Sequence, residues 1–301
     1  MAIDLRTKKL AKLVVKYSLN VKNDENVVIS GSTEASDFIT ALYEEVLKAG
    51  AHPILRLTLP NLGPIFYKYA KEHHIVQFPD IFDYTVKHAQ KYIGIDTETN
   101  TREMSNVDPK KIAKRGKVVR PVSDYIVNQK DKIRRCTVGY PCLALAQEAE
   151  MSMHEFENFI FNAMLQDWEK LGREIDNVLN IFKHGKHVHL IGKNVDLEFD
   201  IRGSLAEADK GEENMPGGEV FMAPIRESAK GWIKFDYPAI EARNEVTDIE
   251  LHFSKGRAIK RQASKNKKLL NAMLTIDENA SYIGEFGIGM NPKINKFTKN
   301  L

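Results

Sequence analysis

The sequence predicts an α/β fold with two domains. In the first half of the 301-residue chain, short apolar runs alternate with stretches whose apolar residues recur every three or four positions. This order is typical of parallel strands connected by helices. After about residue 185 the apolar residues alternate with polar ones, which is typical of antiparallel strands with one exposed face. We therefore predict an α/β domain over residues 1–185 and a mainly antiparallel α+β domain over residues 186–301.

The first elements predict a βαβ unit. Residues 27–29 are an apolar run, and residues 30–33 (Ser-Gly-Ser-Thr) are interpreted as a turn that supplies a helix N-cap. A helix over residues 34–48 follows, because its apolar residues keep helical spacing, and Gly50 ends it. A second buried strand is predicted at residues 54–59. This arrangement indicates a Rossmann-like first domain.

Further strands and helices continue this pattern. Strands are predicted at 92–95, 117–120 and 136–139, and helices near 65–73 and 109–114. A longer helix begins at Ser152, whose hydroxyl can cap it while Glu155 completes a capping box. Apolar residues keep helical spacing from there to Val178, roughly seven turns at about 3.6 residues per turn.

The second domain begins with a predicted hairpin, in which residues 192–194 connect a strand at 187–191 to one at 195–201. Alternation returns at 249–253 and, more weakly, at 232–237. A helix with Leu269, Leu270, Met273 and Leu274 on one face leads into the glycine-rich end.

Composition excludes several classes of function. The formal net charge is +3, which over this length gives no continuous field for holding nucleic acid. No apolar run approaches the roughly 20 residues that span a bilayer, and no signal peptide is visible, so we expect a cytoplasmic protein without a membrane partner. Cys136 and Cys142 are the only cysteines, and their spacing fits neither a zinc knuckle nor a disulfide framework.

Glu219 is the first candidate for chemistry. It follows a Pro-Gly-Gly turn in the segment Asn-Met-Pro-Gly-Gly-Glu-Val-Phe at 214–221. Such a turn fixes where the carboxylate points, and a rigidly placed carboxylate suits a divalent cation. Pro-Gly-Gly turns are common, so this segment alone is also compatible with a glutamate that stabilises a turn.

Glu285 is the second candidate. It lies in Tyr-Ile-Gly-Glu-Phe-Gly-Ile-Gly-Met-Asn at 282–291, a glycine-spaced apolar stretch that we interpret as a buried strand. A buried carboxylate requires a cation or hydrogen-bond donors. On composition alone, either a functional or a structural role is open.

Other constellations are weaker. His187 and His189 lie on one side of a predicted strand and could hold a metal, although a polar strand face explains them without one. Gly31 could place a phosphate at the following helix N-terminus, which would make the chain a small-molecule-binding protein.

Together the two glutamate segments resemble the aminopeptidase T family of metallopeptidases. In that family an Asn-Met-Pro-Gly-Gly-Glu-Val-Phe segment and a later Gly-Glu-x-x-x-Gly-x-Asn segment each supply a metal-binding glutamate. Both segments are present, with their glutamates 66 residues apart (285 − 219). The likeness extends over essentially the whole chain and implies that Glu219 and Glu285 are metal ligands in a catalytic domain.

The resemblance implies an aminopeptidase that cleaves the first residue from peptide substrates. Two divalent metal ions (Zn, Co, Mn or Mg) would lower the pKa of a bridging water. We predict that Glu285, as the more enclosed carboxylate, bridges the two ions. The family also implies a homodimer.

The family continues with histidine ligands beyond the position that corresponds to residue 301. We therefore expect the catalytic domain to be truncated, or incomplete at its C-terminus. The alternative is a catalytically inactive homologue that acts as a binding or oligomerisation protein.

Overall fold

The computed structural model describes residues 3–241 and 244–298 and divides into two compact units. The first contains Met1–Gln166 and Gly211–Gly217, and the second contains Asp167–Lys210 and Gly218–Leu301. The α-helices, numbered α1 to α10, span Leu5–Leu13, Ser36–Lys48, Leu62–Tyr69, Glu72–Val76, Asp80–Lys87, Pro109–Asn128, Leu143–Glu148, Met153–Met164, Trp168–His184 and Lys267–Met273. The strands, numbered β1 to β15, span Asn26–Ser32, His52–Thr58, Lys91–Asp96, Arg134–Gly139, His187–Gly192, Val195–Asp200, Ala206–Asp209, Asn214–Met215, Glu219–Met222, Lys230–Lys234, Ala239–Glu241, Asn244–Val246, Glu250–Ser254, Arg257–Gln262 and Phe286–Gly289.

The first unit is built on a parallel sheet with the strand order β2-β1-β3-β4-β8. Helices α5 and α6 cover one face, where Val28, Val86, Val122 and Ile126 form a buried cluster. Helix α2 packs on β1 and β2. The predicted α/β fold class, a parallel domain followed by antiparallel sheets, is confirmed.

The strand predicted at residues 54–59 exists as β2, but it is not buried. It lies at the edge of the parallel sheet, and Leu57 and Leu59 are 46% and 58% exposed. An apolar run predicts a strand without distinguishing a central position from an edge. The prediction of burial is therefore wrong.

Gly31 lies inside β1 rather than in a turn. A Cβ atom at this position would lie 2.9 Å from Cβ of Ile95 on the neighbouring strand β3. The glycine thus makes room for the Ile95 side chain, which removes the basis for a phosphate-binding turn. The helix N-cap is Ser32, whose hydroxyl accepts the N–H of Glu34 at the start of a short 3-10 turn.

Two predictions of secondary structure in the first unit are wrong. Residues 117–120 were predicted as a strand but lie within α6, which begins at Pro109 with Asp108 as its N-cap. The β-branched pair at 118–119 favours a strand locally, whereas Val122 and Ile126 pack at helical spacing on the sheet. The single helix predicted near residues 65–73 is two helices, α3 and α4.

The long helix predicted from Ser152 is interrupted. Its capping box is confirmed, since Ser152 and Glu155 exchange side-chain-to-backbone hydrogen bonds. However, α8 ends at Met164 and α9 begins at Trp168, where the Asp167 carboxylate caps it by accepting the N–H of Lys170. The two compact units divide at this break, because α9 packs on β7 and β9. The domain boundary at 185/186 stays a prediction.

The second unit contains an antiparallel sheet with the order β14-β13-β10-β6-β5 and a three-stranded antiparallel sheet with the order β15-β9-β7. The predicted hairpin is confirmed as β5 and β6. Both sheets contribute to one core, in which Leu197 and Phe199 from the larger sheet join Met222 from the smaller one, with Phe182 and Phe286 packed against them. Among the described residues, no helix combines the length and the apolar character that crossing a membrane requires.

Candidate metal centre

The three-stranded sheet places Glu219 at the start of its central strand, β9. In the antiparallel register Glu219 lies opposite Asp209 on β7 and opposite Gly289 on β15. Directly opposed residues share a face of a sheet, with Cβ atoms typically about 4.5–5.5 Å apart. Val220 and Met222 point to the other face and are buried. The strand therefore holds Glu219 and Asp209 on one face while its alternate residues anchor it in the core.

The Pro-Gly-Gly turn is fixed from both sides immediately before Glu219. The N–H of Gly218 donates to the carbonyl oxygen of Asp209 (3.1 Å), and its own carbonyl accepts the N–H of Met290 (2.7 Å). Gly218 has a φ of +106°, and a Cβ atom there would lie 2.9 Å from Cβ of Asn291. The ends of the two predicted motifs thus contact each other, and glycine is required at their junction.

The glycines of the second motif leave space beside Glu219. Gly287 and Gly289 alternate on β15 and share the face of Glu219. A Cβ atom on Gly287 would lie 3.9 Å from Oε2 of Glu219, while one on Gly289 would meet no atom within 4 Å. Glu285 precedes this strand by one residue. The motif therefore leaves an open surface bordered by two carboxylates.

Glu285 was predicted to be the more enclosed of the two carboxylates, but the structure shows the reverse. Glu285 is exposed, and Glu219 is half-buried. The stretch around Glu285 is a strand only from Phe286 onward, and its glycine-rich face is open rather than covered. The prediction of a buried strand around Glu285 is wrong, and its choice as the bridging ligand loses its basis.

The electrostatics of the face distinguish Glu219. Burial raises the pKa of the Glu219 carboxyl above its ordinary value of 4.5, and the nearby carboxylates of Asp209 and Glu285 raise it further. Asp209 is itself only 4% exposed. Every cause acts against a negative charge on Glu219. The surroundings of Glu219 therefore favour a proton or a bound cation over a bare negative charge.

A divalent cation fits this donor chemistry. Carboxylate oxygens are the ligands that hard and borderline divalent ions accept, and a cation would relieve the mutual repulsion of Asp209, Glu219 and Glu285. Residues 3–241 and 244–298 contain no group of three His, Cys, Asp or Glu side chains arranged to hold a metal ion. The face thus provides carboxylate donors but no closed coordination shell.

The raised pKa predicts how the metal-free protein responds to pH. Because the folded state favours protonated Glu219, the stability that this group contributes is present below pH 4.5 and is lost as the pH rises through its raised value. Glu219→Gln should therefore raise the melting temperature at pH 8 with a chelator present, and the difference should vanish near pH 4. Thermal unfolding of both proteins across this range measures it, and an unchanged or lower melting temperature at pH 8 would contradict it.

Sequence reasoning missed Asp209. It lies in a polar segment ten positions before Glu219 (219 − 209) and becomes its neighbour only when β7 pairs with β9. No local motif marks Asp209. Only the pairing register of β7 with β9 places it opposite Glu219.

His187 and His189 contact carboxylates on β6. His187 lies 2.9 Å from Asp200 and 3.0 Å from Glu198, and His189 lies 2.8 Å from Asp196. Hydrogen bonding to Asp200, and then to Glu198, raises the pKa of His187. These side chains form an exposed polar strand face, as the simpler interpretation predicted.

Comparisons of sequence identify relatives over nearly the whole chain. The sequence model of the thermophilic metalloprotease family (M29) matches residues 3–301. Aminopeptidase AmpS of Bacillus subtilis (strain 168) is 23% identical over 92% of this chain and 75% of its own length. Aminopeptidase T of Thermus aquaticus is 23% identical over 93% of this chain and 76% of its own length.

Comparisons of structure agree on the fold. Wild-type AmpT from Thermus thermophilus superimposes with a TM-score of 0.81 at 21% identity, over 96% of this chain and 79% of that one. A 2,5-dihydroxypyridine dioxygenase from Pseudomonas putida KT2440 also superimposes, with a TM-score of 0.60 at 14% identity, over 95% of this chain and 77% of that one. Proteins named for different chemistries share this fold, so the fold alone does not define the reaction.

The family match settles what the fold leaves open. It covers the chain from residue 3 to residue 301 and includes both glutamate segments. The predicted resemblance, and with it the prediction of a metal-dependent peptidase, is confirmed: the chain belongs to the thermophilic metalloprotease family M29.

Proposed function

We propose that the protein is an aminopeptidase that removes single residues from the N-termini of peptides, with Glu219 and Glu285 as ligands of two divalent cations. The observation that supports this proposal is that Glu219 shares a strand face with Asp209 and that the carboxylates of Asp209 and Glu285 both act against its negative charge. The aminopeptidases among the sequence relatives support the choice of substrate.

The residues on this face have separate roles. Glu219 and Glu285 hold the cations, and the rigid turn at Gly218 limits the reorganisation that binding requires. A bound divalent cation polarises a carbonyl oxygen and lowers the pKa of a water molecule. A free peptide N-terminus would offer an amine nitrogen that a bound divalent cation can accept, whereas an acetylated N-terminus would not. The space beside Gly287 and Gly289 can admit an extended substrate backbone.

Three expectations stay predictions. The first is the identity of the metal ion, because carboxylate ligands bind zinc, cobalt, manganese and magnesium alike. The homodimer and the cytoplasmic location follow from the resemblance and from the sequence, respectively.

Metal titration tests the proposal. Protein stripped with a chelator should not hydrolyse a chromogenic amino-acid amide, and added Zn²⁺, Co²⁺, Mn²⁺ or Mg²⁺ should restore hydrolysis. Calorimetry should give two ions per chain for the ion that restores most activity. The same amide with an acetylated amino group is the control, and it should not be cleaved.

Three outcomes would contradict the proposal or a part of it. Full activity in the presence of excess chelator would remove the metal from the mechanism. Equal cleavage of the free and acetylated amides would show that the free amino group is not recognised. One bound ion per chain would contradict the two-metal part alone.

A further inference from the structure

The segment Gly211–Gly217 precedes the strand entry at Glu219 in the chain and pairs with the parallel sheet of the first unit. It belongs to that unit although the chain on both sides of it belongs to the second. Within it, β8 pairs in parallel with β4, and the N–H of Thr137 donates to the carbonyl oxygen of Glu213 (2.8 Å). Only Pro216, Gly217 and Gly218 separate this strand from Glu219.

The Arg135 side chain contacts both the backbone and the side chains of this segment. Its Nη1 lies 3.3 Å from the carbonyl oxygen of Glu213 and 3.4 Å from Oδ1 of Asn214, and its Nη2 lies 3.5 Å from the Glu213 carboxylate. The Arg135 side chain is only 18% exposed. A guanidinium group that is largely removed from solvent is less screened than an exposed ion pair, so its contacts restrain the segment more.

The start of the segment is held independently. The hydroxyl of Ser18, which is fully buried, donates to the carbonyl oxygen of Gly211 at 2.6 Å. Lys130 also pairs with Glu213 (2.7 Å), but its side chain is 55% exposed, so this contact contributes little. Met215, at the end of β8, is 1% exposed. Ser18, Arg135 and Met215 therefore fix the segment at its beginning, middle and end.

We propose that Arg135 is a positioning residue for Glu219, acting through the segment Gly211–Gly217. It holds Glu213 and Asn214 against β4 and so fixes the point from which the chain turns into β9. The inference rests on the proposed role of Glu219 as a metal ligand. Groups that orient a ligand from outside the coordination shell change metal affinity because an unrestrained ligand must be ordered when the ion binds.

The effect should be partial. Glu219 is also held by the β9 ladder and by the hydrogen bonds of Gly218 with Asp209 and Met290. Loss of Arg135 should therefore loosen the entry to β9 without detaching it. We expect Arg135→Ala to weaken metal affinity about tenfold, the lower end of the range for residues that orient ligands.

Hydrogen exchange and calorimetry test the inference on the intact chain. In metal-free Arg135→Ala, amides of residues 212–220 should exchange about tenfold faster than in the parent protein, and the dissociation constant of Co²⁺ should rise about tenfold. Arg135→Lys keeps the charge but lacks the planar fork, so it should recover only part of both losses.

Val122→Ala is the matched control for general destabilisation. Val122 is buried under the parallel sheet in the cluster with Val28 and Val86, and it belongs to the same unit as Arg135. This variant should lower the melting temperature but leave both the exchange of residues 212–220 and the Co²⁺ affinity unchanged. If Arg135→Ala fails to fold, Ser18→Ala tests the same anchor from its other end.

The outcomes separate the inference from the proposed function. Unchanged exchange of residues 212–220 in Arg135→Ala would overturn the inference, as would equal losses in Val122→Ala at matched melting temperature. If Glu219→Gln leaves the Co²⁺ affinity unchanged while Arg135→Ala still speeds exchange, the proposed ligand role fails and the anchoring of the segment stands.

Discussion

Replacing Glu219 by glutamine should lower the rate of amino-acid amide hydrolysis by at least about 100-fold, because even groups that only orient metal ligands change affinity or activity by 10–100-fold. Glutamine keeps the volume of the side chain and its place at the start of β9. It replaces the proposed charged ligand with a neutral amide, while Asp209 and Glu285 remain nearby. Initial rates at saturating Co²⁺ would measure the loss, and calorimetry would show the accompanying loss of Co²⁺ affinity.

Glu198→Gln is the matched control for this substitution. Glu198 also lies on a strand of the second unit, where it pairs with Lys230 (2.9 Å) and His187 (3.0 Å) at the surface. Exposed ion pairs contribute little, so this variant should retain the parent rate. Parent-like hydrolysis by Glu219→Gln would exclude Glu219 as a ligand. A loss of activity in a variant whose metal-free form is more stable at pH 8 cannot result from unfolding.

Replacing Gly218 by alanine should damage both stability and activity. Its φ of +106° is strained for an L-residue, and the new methyl group would lie 2.9 Å from Cβ and 3.3 Å from the backbone nitrogen of Asn291. Backbone strain of this kind costs about 1–3 kcal/mol, and relief of the clash would move the turn that aims Glu219. We expect a lower melting temperature and roughly 10–100-fold weaker Co²⁺ binding.

Gly203→Ala separates strain from the effect on the site. Gly203 has a comparable φ of +80°, but a Cβ atom there would meet nothing within 4 Å. It should therefore lose stability through backbone strain while Co²⁺ binding stays unchanged. If both variants bind Co²⁺ like the parent, the junction of Gly218 with Asn291 does not position the ligand.

Local sequence patterns predicted the helices and strands better than they predicted where each helix ends and what it packs against. The pair Ser152 and Glu155 located the capping box correctly, because a cap depends only on neighbouring residues. The helical spacing of apolar residues continued past the break before Asp167, since both α8 and α9 present an apolar face to a core. The spacing of apolar residues does not show which core a helix packs against. The break was therefore missed, although the chain passes there from one unit to the other.

The candidate site was predictable to the extent that it is encoded in contiguous motifs. Glu219 and Glu285 lie in recognisable segments, and glycine spacing marked both. Asp209 was missed because its proximity to Glu219 arises from strand pairing. The relative enclosure of the two glutamates was also beyond local reasoning, because burial depends on what covers a strand, and glycine on β15 leaves its face open.

The placement of β8 has a consequence for folding during synthesis. Ser18 and Gly211 are 193 positions apart in the chain, yet they belong to one unit. The ribosome must therefore release the strands β5 to β7 before the parallel sheet can acquire its last strand. Until then the outer edge of β4 is an unpaired template for other chains. Contacts between residues this far apart in the chain slow folding and leave intermediates exposed to aggregation. The sheet of the first unit is thus completed by a segment that is synthesised late.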